Sequence, residues 1–185
     1  SLSTRPDLLL LDEPLSNLDA KLRWEMRQNI SEIHRQSGIT MIYVTHDQKE
    51  ALSMGTHITV MLDGHEVQTG TPRELYTYPK NNFLAGFIGE TNLVPGEYLG
   101  CQGSLHRVKT SLGVFSSTKI AADFNPGKPV SLSIRPETIR VMKQEEGASV
   151  PEENSFTACL KKITYLGPSE LLSLRAGQGQ DLEAQ

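Results

Sequence analysis

Two short apolar runs, with an amphipathic stretch between them, set the first constraint on this chain. Leu8 to Leu11 is apolar without interruption, and Ile39 to Val44 is a second run rich in β-branched residues. A run without alternation fits a strand covered on both faces, as in a parallel sheet. Between the runs, Leu18, Leu22, Met26, Ile30 and Ile33 draw one apolar stripe along a helix. Gly38 is placed to end that helix. Strand, helix and strand with no hairpin turn make a βαβ unit, whose crossover is expected to be right-handed.

Further signals follow. Asp47 and Glu50 stand in capping-box spacing at the start of a short helix from about Gln48. Ile58 to Leu62 and Glu66 to Thr69 flank Asp63-Gly64, a hairpin signal. Thr71, Pro72 and Glu74 open another helix, which Pro79 ends.

Near residue 90 the character changes. Residues 1–90 carry 8 basic and 12 acidic side chains, whereas residues 91–185 carry 10 of each. The second part is rich in Gly and Pro. Its short strand-like segments are Glu97 to Gly100, Leu105 to Lys109, Val130 to Ile134, Ile139 to Val141, Phe156 to Ile163 and Leu171 to Leu174. The expected fold is an α/β part over residues 1–90, then an all-β part over 91–185 that suits a five-stranded OB-type barrel. Residues 145–154 read as an acidic solvated loop. The tail from Ala176 stops where another strand could begin, so the barrel is expected to be cut short.

Composition closes off several classes. The net charge of −4 argues against a nucleic-acid binder. No apolar run approaches the roughly 20 residues of a membrane-spanning helix, and no signal-peptide pattern is present. Cys101 and Cys159 belong to no Cys-x-x-Cys motif, which favours reduced thiols in a cytosolic protein. Because the chain starts at Ser1 and reaches an apolar run by Leu8, it reads as a piece of something longer.

In open α/β sheets, ligands sit at the carboxyl ends of the strands. Asp12 and Glu13 follow the first run, and Thr45 and His46 follow the second. Two carboxylates and an imidazole on one sheet edge resemble a phosphoryl-transfer site. There Asp12 would hold Mg²⁺ through hard oxygens. Glu13 would deprotonate an attacking water, and His46 would contact the γ-phosphate. Taken alone, an Asp-Glu pair after a strand is more often a polar loop, and a His after a strand is more often still an ordinary one.

The longer strings narrow this. Leu8-Leu9-Leu10-Leu11-Asp12-Glu13-Pro14 resembles the Walker B motif of ATP-binding cassette (ABC) ATPases. Leu15-Ser16-Asn17-Leu18-Asp19 resembles their D-loop, and Val44-Thr45-His46-Asp47-Gln48 their switch-histidine segment. The order and spacing are those of the family. Residues 70–76 and 87–92, with Ser133-Ile134-Arg135-Pro136-Glu137, resemble importer ATPases that carry a C-terminal transport-associated OB domain. Lys49, Thr56 and His57 depart from that pattern beyond the catalytic groups.

The resemblance implies an ATP- and Mg²⁺-using importer subunit, a partial P-loop domain followed by the OB domain. Asp12 would be the metal acid, Glu13 the base and His46 the switch. Ser16 and Asp19 would belong to a loop that crosses to a second copy of the subunit. Asp19 or Ser16 could equally cap the helix that follows. The implied partners are that second copy, membrane permease subunits and, indirectly, a solute-binding protein, with no nucleic acid. The implied location is cytoplasmic, peripheral on the inner face of the cell membrane. Solutes in this subfamily include polyamines, iron(III) and sugars, and residues 88–92 lean to polyamines. The family's phosphate loop and signature motif lie before Walker B, yet only 11 residues precede Asp12. The chain alone is therefore expected to be inactive. The alternative is a non-enzymatic regulatory, dimerisation or small-ligand-binding module.

Overall fold

A computed structural model describes residues 6–143, 153–177 and 179–185. By contacts the chain divides into two units, Ser1–Arg73 and Glu74–Gln185. The change at residue 90 read from composition thus falls inside the second unit.

In the first unit, β1 (Leu8–Asp12) and β2 (Thr40–Val44) pair in parallel, with Leu8 opposite Thr40 and Asp12 opposite Val44. They are joined by α1 (Ala20–Ser37), as the apolar pattern requires. The Asp19 carboxylate caps α1 by accepting from the amides of Lys21 and Leu22, both at 3.0 Å. Gly38 ends it in the left-handed region (φ 65°), which only glycine adopts cheaply. Next come α2 (Gln48–Met54), β3 (Ile58–Leu62) and β4 (His65–Gly70). The β3–β4 hairpin turns on Asp63 and Gly64, both at positive φ, the backbone of a two-residue primed turn.

One expectation fails here. The apolar run of β1 is not covered on both faces. Leu8, Leu10, Ile42 and Val44 form one contiguous face and are 45–66% exposed. Helix α1 has no buried residue either, and Leu22 and Ile33 of its stripe are exposed. The pattern encodes a layered sheet, and this unit holds elements for one side of it only.

The second unit begins within α3 (Pro72–Thr77) and continues through α4 (Asn82–Phe87), which the sequence reading missed. Asn81 caps α4 through the Leu84 amide at 2.9 Å. Seven strands follow: β5 (Asn92–Gln102), β6 (Leu105–Thr110), β7 (Gly113–Ser117), β8 (Pro129–Ile134), β9 (Ala158–Tyr165), β10 (Glu170–Ala176) and β11 (Gln180–Ala184). They form two antiparallel sheets, in the orders β7-β6-β5-β8 and β11-β10-β9. This corrects the five-stranded barrel. The Gly-rich tail supplies β11 outright, and β7 hides in a polar Gly-Val-Phe-Ser-Ser segment.

The expected strand at Ile139 to Val141 is absent. Pro136 opens a 3₁₀ turn there (Pro136–Thr138), a place that suits a residue lacking an amide proton. Most of 145–154 lies outside the described residues. Its end is not simply solvated, because Asn154 accepts from the Ser116 amide at 2.7 Å and donates to the Ser116 carbonyl at 3.1 Å.

Val94, Leu174, Ala176, Leu182 and Ala184 make the core between the two sheets, with Leu132, Ile134 and Leu172 packed against it. Two buried polar residues tie this unit together. The Asn92 side chain donates to Ile134 O and Glu183 O and accepts from Glu183 N, bridging the sheets. Arg135 is only 8% exposed, and its Nη1 donates to the carbonyls of Ala85, Gly89 and Glu90 at 2.8–3.0 Å. Its guanidinium also lies 4.3 Å from the centre of the Tyr76 ring. The close fit requires Gly89, since a Cβ there would sit 3.2 Å from Tyr76 Cε2 and 3.4 Å from Arg135 Nη1.

Arg135→Ala is expected to destabilise the second unit by about 3 kcal/mol, because the carbonyls of Tyr76, Ala85, Gly89 and Glu90 lose their donor. Gly89→Ala is expected to cost about 1 kcal/mol through crowding. Urea unfolding followed by circular dichroism measures both.

Candidate functional site

The residues expected at the strand ends lie in the first unit. Asp12 is the last residue of β1, and Glu13 follows it. The Glu13 amide donates to Val44 O at 2.9 Å, so the β1–β2 ladder runs one bond past the strand. Glu13 stands at φ 44°, a left-handed backbone that an ordinary side chain adopts only at a cost. Its side chain meets His46 with Oε1 3.0 Å from Nδ1. These residues are 33 apart in sequence, and the parallel register brings them together.

The chain after Glu13 turns tightly. The Ser16 hydroxyl donates to Glu13 O at 3.0 Å, and the Ser16 amide donates to the same oxygen at 3.2 Å. Ser16 thus secures the turn that aims Glu13. Asp19 is occupied with the α1 amides, so its capping role is realised. Asp12, Glu13 and His46 gather on one edge, while Ser16 and Asp19 shape the loop leading away.

Sequence reasoning missed Glu50. It is 4% exposed and accepts hydrogen bonds from the hydroxyls of Tyr43 (2.9 Å) and Thr45 (2.8 Å). Burial, with the Glu50 carboxylate beside it, pushes the Tyr43 phenol well up, so it stays a donor. The Thr45 hydroxyl accepts from the Asp47 amide at 3.0 Å. The capping box read at Asp47 and Glu50 is therefore half right. Asp47 caps α2 through Lys49 N and Glu50 N, but the Glu50 carboxylate turns to Tyr43 and Thr45 instead. This network fixes the segment that carries His46. Its only sequence signal was a Tyr and a Thr alternating with Val44 shortly before a Glu.

His46 and Glu13 are 74% and 46% exposed, so their attraction is solvent-screened. The hydrogen bond to Glu13 raises the His46 pKa above the ordinary histidine value, and the Glu13 charge adds to this. No cluster of three or more His, Cys, Asp or Glu able to hold a metal occurs among the described residues.

Comparison with known proteins bears on both units. The TOBE domain family matches residues 132–185. The spermidine/putrescine import ATP-binding protein PotA of Rubrobacter xylanophilus is 40% identical over 186 aligned positions, covering 100% of this chain and 48% of that relative. PotA 1 of Pseudomonas aeruginosa is 38% identical over 179, covering 97% and 47%. PotA of Ruegeria pomeroyi is 42% identical over 147, covering 80% and 40%.

Over most or all of its length the chain is similar to import ATP-binding proteins of this kind. It spans about half the length, or less, of these relatives. The TOBE match covers the end of β8 and all of β9, β10 and β11.

A pH titration tests the Glu13–His46 contact. In an NMR titration His46 is expected to titrate above about 6.5, and Glu13→Gln to return it toward that value. Because the folded pKa is raised, the pair's stabilising contribution is fully present below about pH 6.5 and is lost as pH rises through the folded value. A His46 that titrates identically in both proteins contradicts the contact.

Proposed function

We infer that this chain is part of the ATP-hydrolysing subunit of an ABC solute importer of the polyamine type. The observation that carries this is the meeting of Glu13 and His46 at the ends of two parallel strands, beside Asp12. The solute reading rests on relatives named for spermidine and putrescine import. Iron(III) and sugar remain the other subfamily solutes to test against it. In this reading residues 1–90 are the C-terminal part of the ATPase domain, with a P-loop parallel sheet, and residues 91–185 are the transport-associated OB-type domain.

The residues present fit part of a nucleotide site. One strand-end carboxylate beside a phosphate chain is how proteins commonly hold Mg²⁺, which keeps several waters and rarely uses a dedicated cage. The donor set of Asp12 with Glu13 suits that use. No Gly-x-x-x-x-Gly-Lys-Ser/Thr string occurs in the chain, so the backbone cradle for the phosphates is not among its residues. When bound, Mg²⁺ with ATP supplies a leaving group and neutralises the charge that develops on the phosphoryl oxygens.

The protein's own groups then divide the work. Asp12 offers oxygens to the metal. Glu13, held by the Val44 carbonyl and the Ser16 turn, orients a water and takes its proton. The His46 bond occupies one lone pair of Glu13 Oε1, and an imidazole turned to a γ-phosphate oxygen would free that lone pair for a water. Glu50, through Thr45 and Tyr43, holds the His46 segment in register. Ser16 and Asp19 belong to a loop shared with a second copy of the subunit. Coupling would run to membrane permease subunits, placing the subunit on the inner face of the cell membrane. A solute-binding protein would act upstream.

Two measurements test this reading. Calorimetry of the 185-residue chain with Mg-ATP is expected to show no micromolar binding and no turnover; micromolar binding with turnover refutes it. In a full-length subunit carrying these residues, Glu13→Gln is expected to lower turnover by about 10²–10⁴-fold or more while ATP-dependent dimers still form. Steady-state turnover at the parent rate removes Glu13 from the role of base.

A further inference from the structure

We propose that the cavity of the second unit is a binding site for a small organic anion built on a flat ring, with a carboxylate or phosphate as its charged group. The cavity is about 1030 Å³ and lies wholly among residues 76–138. That is the size class of small-molecule sites.

Its floor is built by register. Tyr98 of β5 lies opposite Val108 of β6, which lies opposite Phe115 of β7. Tyr98 and Phe115 are buried, and Phe124 stands edge-on to Tyr98, with ring centres 6.0 Å apart and planes at 65°. Three rings around one space offer faces and edges to a flat guest. Polar groups converge on the same space. Tyr98 Oη is hydrogen-bonded to His106 Nδ1 at 2.8 Å, and the Ser117 hydroxyl accepts from the Lys119 amide at 3.0 Å.

Charge selects the guest. The titratable residues lining the cavity include Lys80, Lys119, Arg135, His106 and Glu137. The Glu137 carboxylate already accepts from the Tyr76 hydroxyl, and the Arg135 guanidinium donates to carbonyls. Lys119, Arg135 and Lys128, the last over the Phe124 ring, outnumber Glu137 and the Asp123 charge that acts on Tyr98, which gives the space a positive potential that draws an anion and repels a polycation. A polyamine, the solute inferred for the intact importer, is therefore the wrong ligand here. The proposal concerns the second unit alone and does not depend on the ATPase reading.

Amide NMR titration of the full 185-residue chain tests it. The probes are phenyl phosphate, phenylacetate, benzyl alcohol and spermidine. Saturable shifts are expected at Phe115, Ser117 and Lys119 with at least one of the two anions, at a Kd of about 10 mM or tighter. Whichever anion binds more tightly identifies the charged group. Benzyl alcohol is expected to bind at least about tenfold more weakly than that anion. Lys119 is exposed, so Lys119→Glu is expected to leave the rest of the spectrum in place. It should weaken the anion by about fivefold or more and leave benzyl alcohol within about twofold. The proposal is overturned by no saturable shift with either anion, by benzyl alcohol binding as tightly as both, or by spermidine saturating the same amides.

Discussion

One guanidinium organises the second unit. Arg135 is buried, and a buried cation is tolerated only when its donors are used. Its donors go to the carbonyls of Ala85, Gly89 and Glu90, at and just beyond the end of α4, where cations are favoured. Its flat face lies on Tyr76. Helices too short to be stable alone are thereby held on the β8 end of the larger sheet. Asn92 does the matching task between the sheets, with both ends of its amide engaged by Ile134 and Glu183. Val94, Leu174 and Leu182 give this unit a buried core of its own, while Leu160, Ile163, Tyr165 and Leu166, in β9 and just beyond it, stay exposed.

The first unit has the opposite economy. Its chemistry is well placed and its packing is thin. The register of β1 on β2 carries Glu13 to His46, and the Glu50 network steadies the segment between β2 and α2. Yet the face made by Leu8, Leu10, Ile42 and Val44 is open, and α1 buries nothing fully. A parallel pair without cover on both sides gains little from burial, which is the main stabilising term available to it.

Much of this was legible in the residues. The apolar runs located β1 and β2, Gly38 and Asp63-Gly64 located a helix end and a turn, and Asp12, Glu13 and His46 were placed on one edge by strand order alone. What escaped had physical causes. Glu50 looked like a capping residue because local spacing cannot show that Tyr43 and Thr45 offer better partners. Arg135 joins residues about 45 to 60 positions away, which no local pattern encodes. β7 and β11 are short, polar on one face and bounded by glycines, so their strand character comes from partners and not from their own propensity. The openness of β1 was invisible because an apolar run states what a strand needs, not what it receives.

The central claim is that the two units differ in self-sufficiency. Native-state hydrogen exchange on the 185-residue chain measures this residue by residue. Amides of β5, β8 and β10 are expected to exchange at least about a hundredfold more slowly than those of β1 and β2, relative to unstructured rates. Equal protection of β1 and β2 would contradict it, because that requires a covered, cooperative core in the first unit.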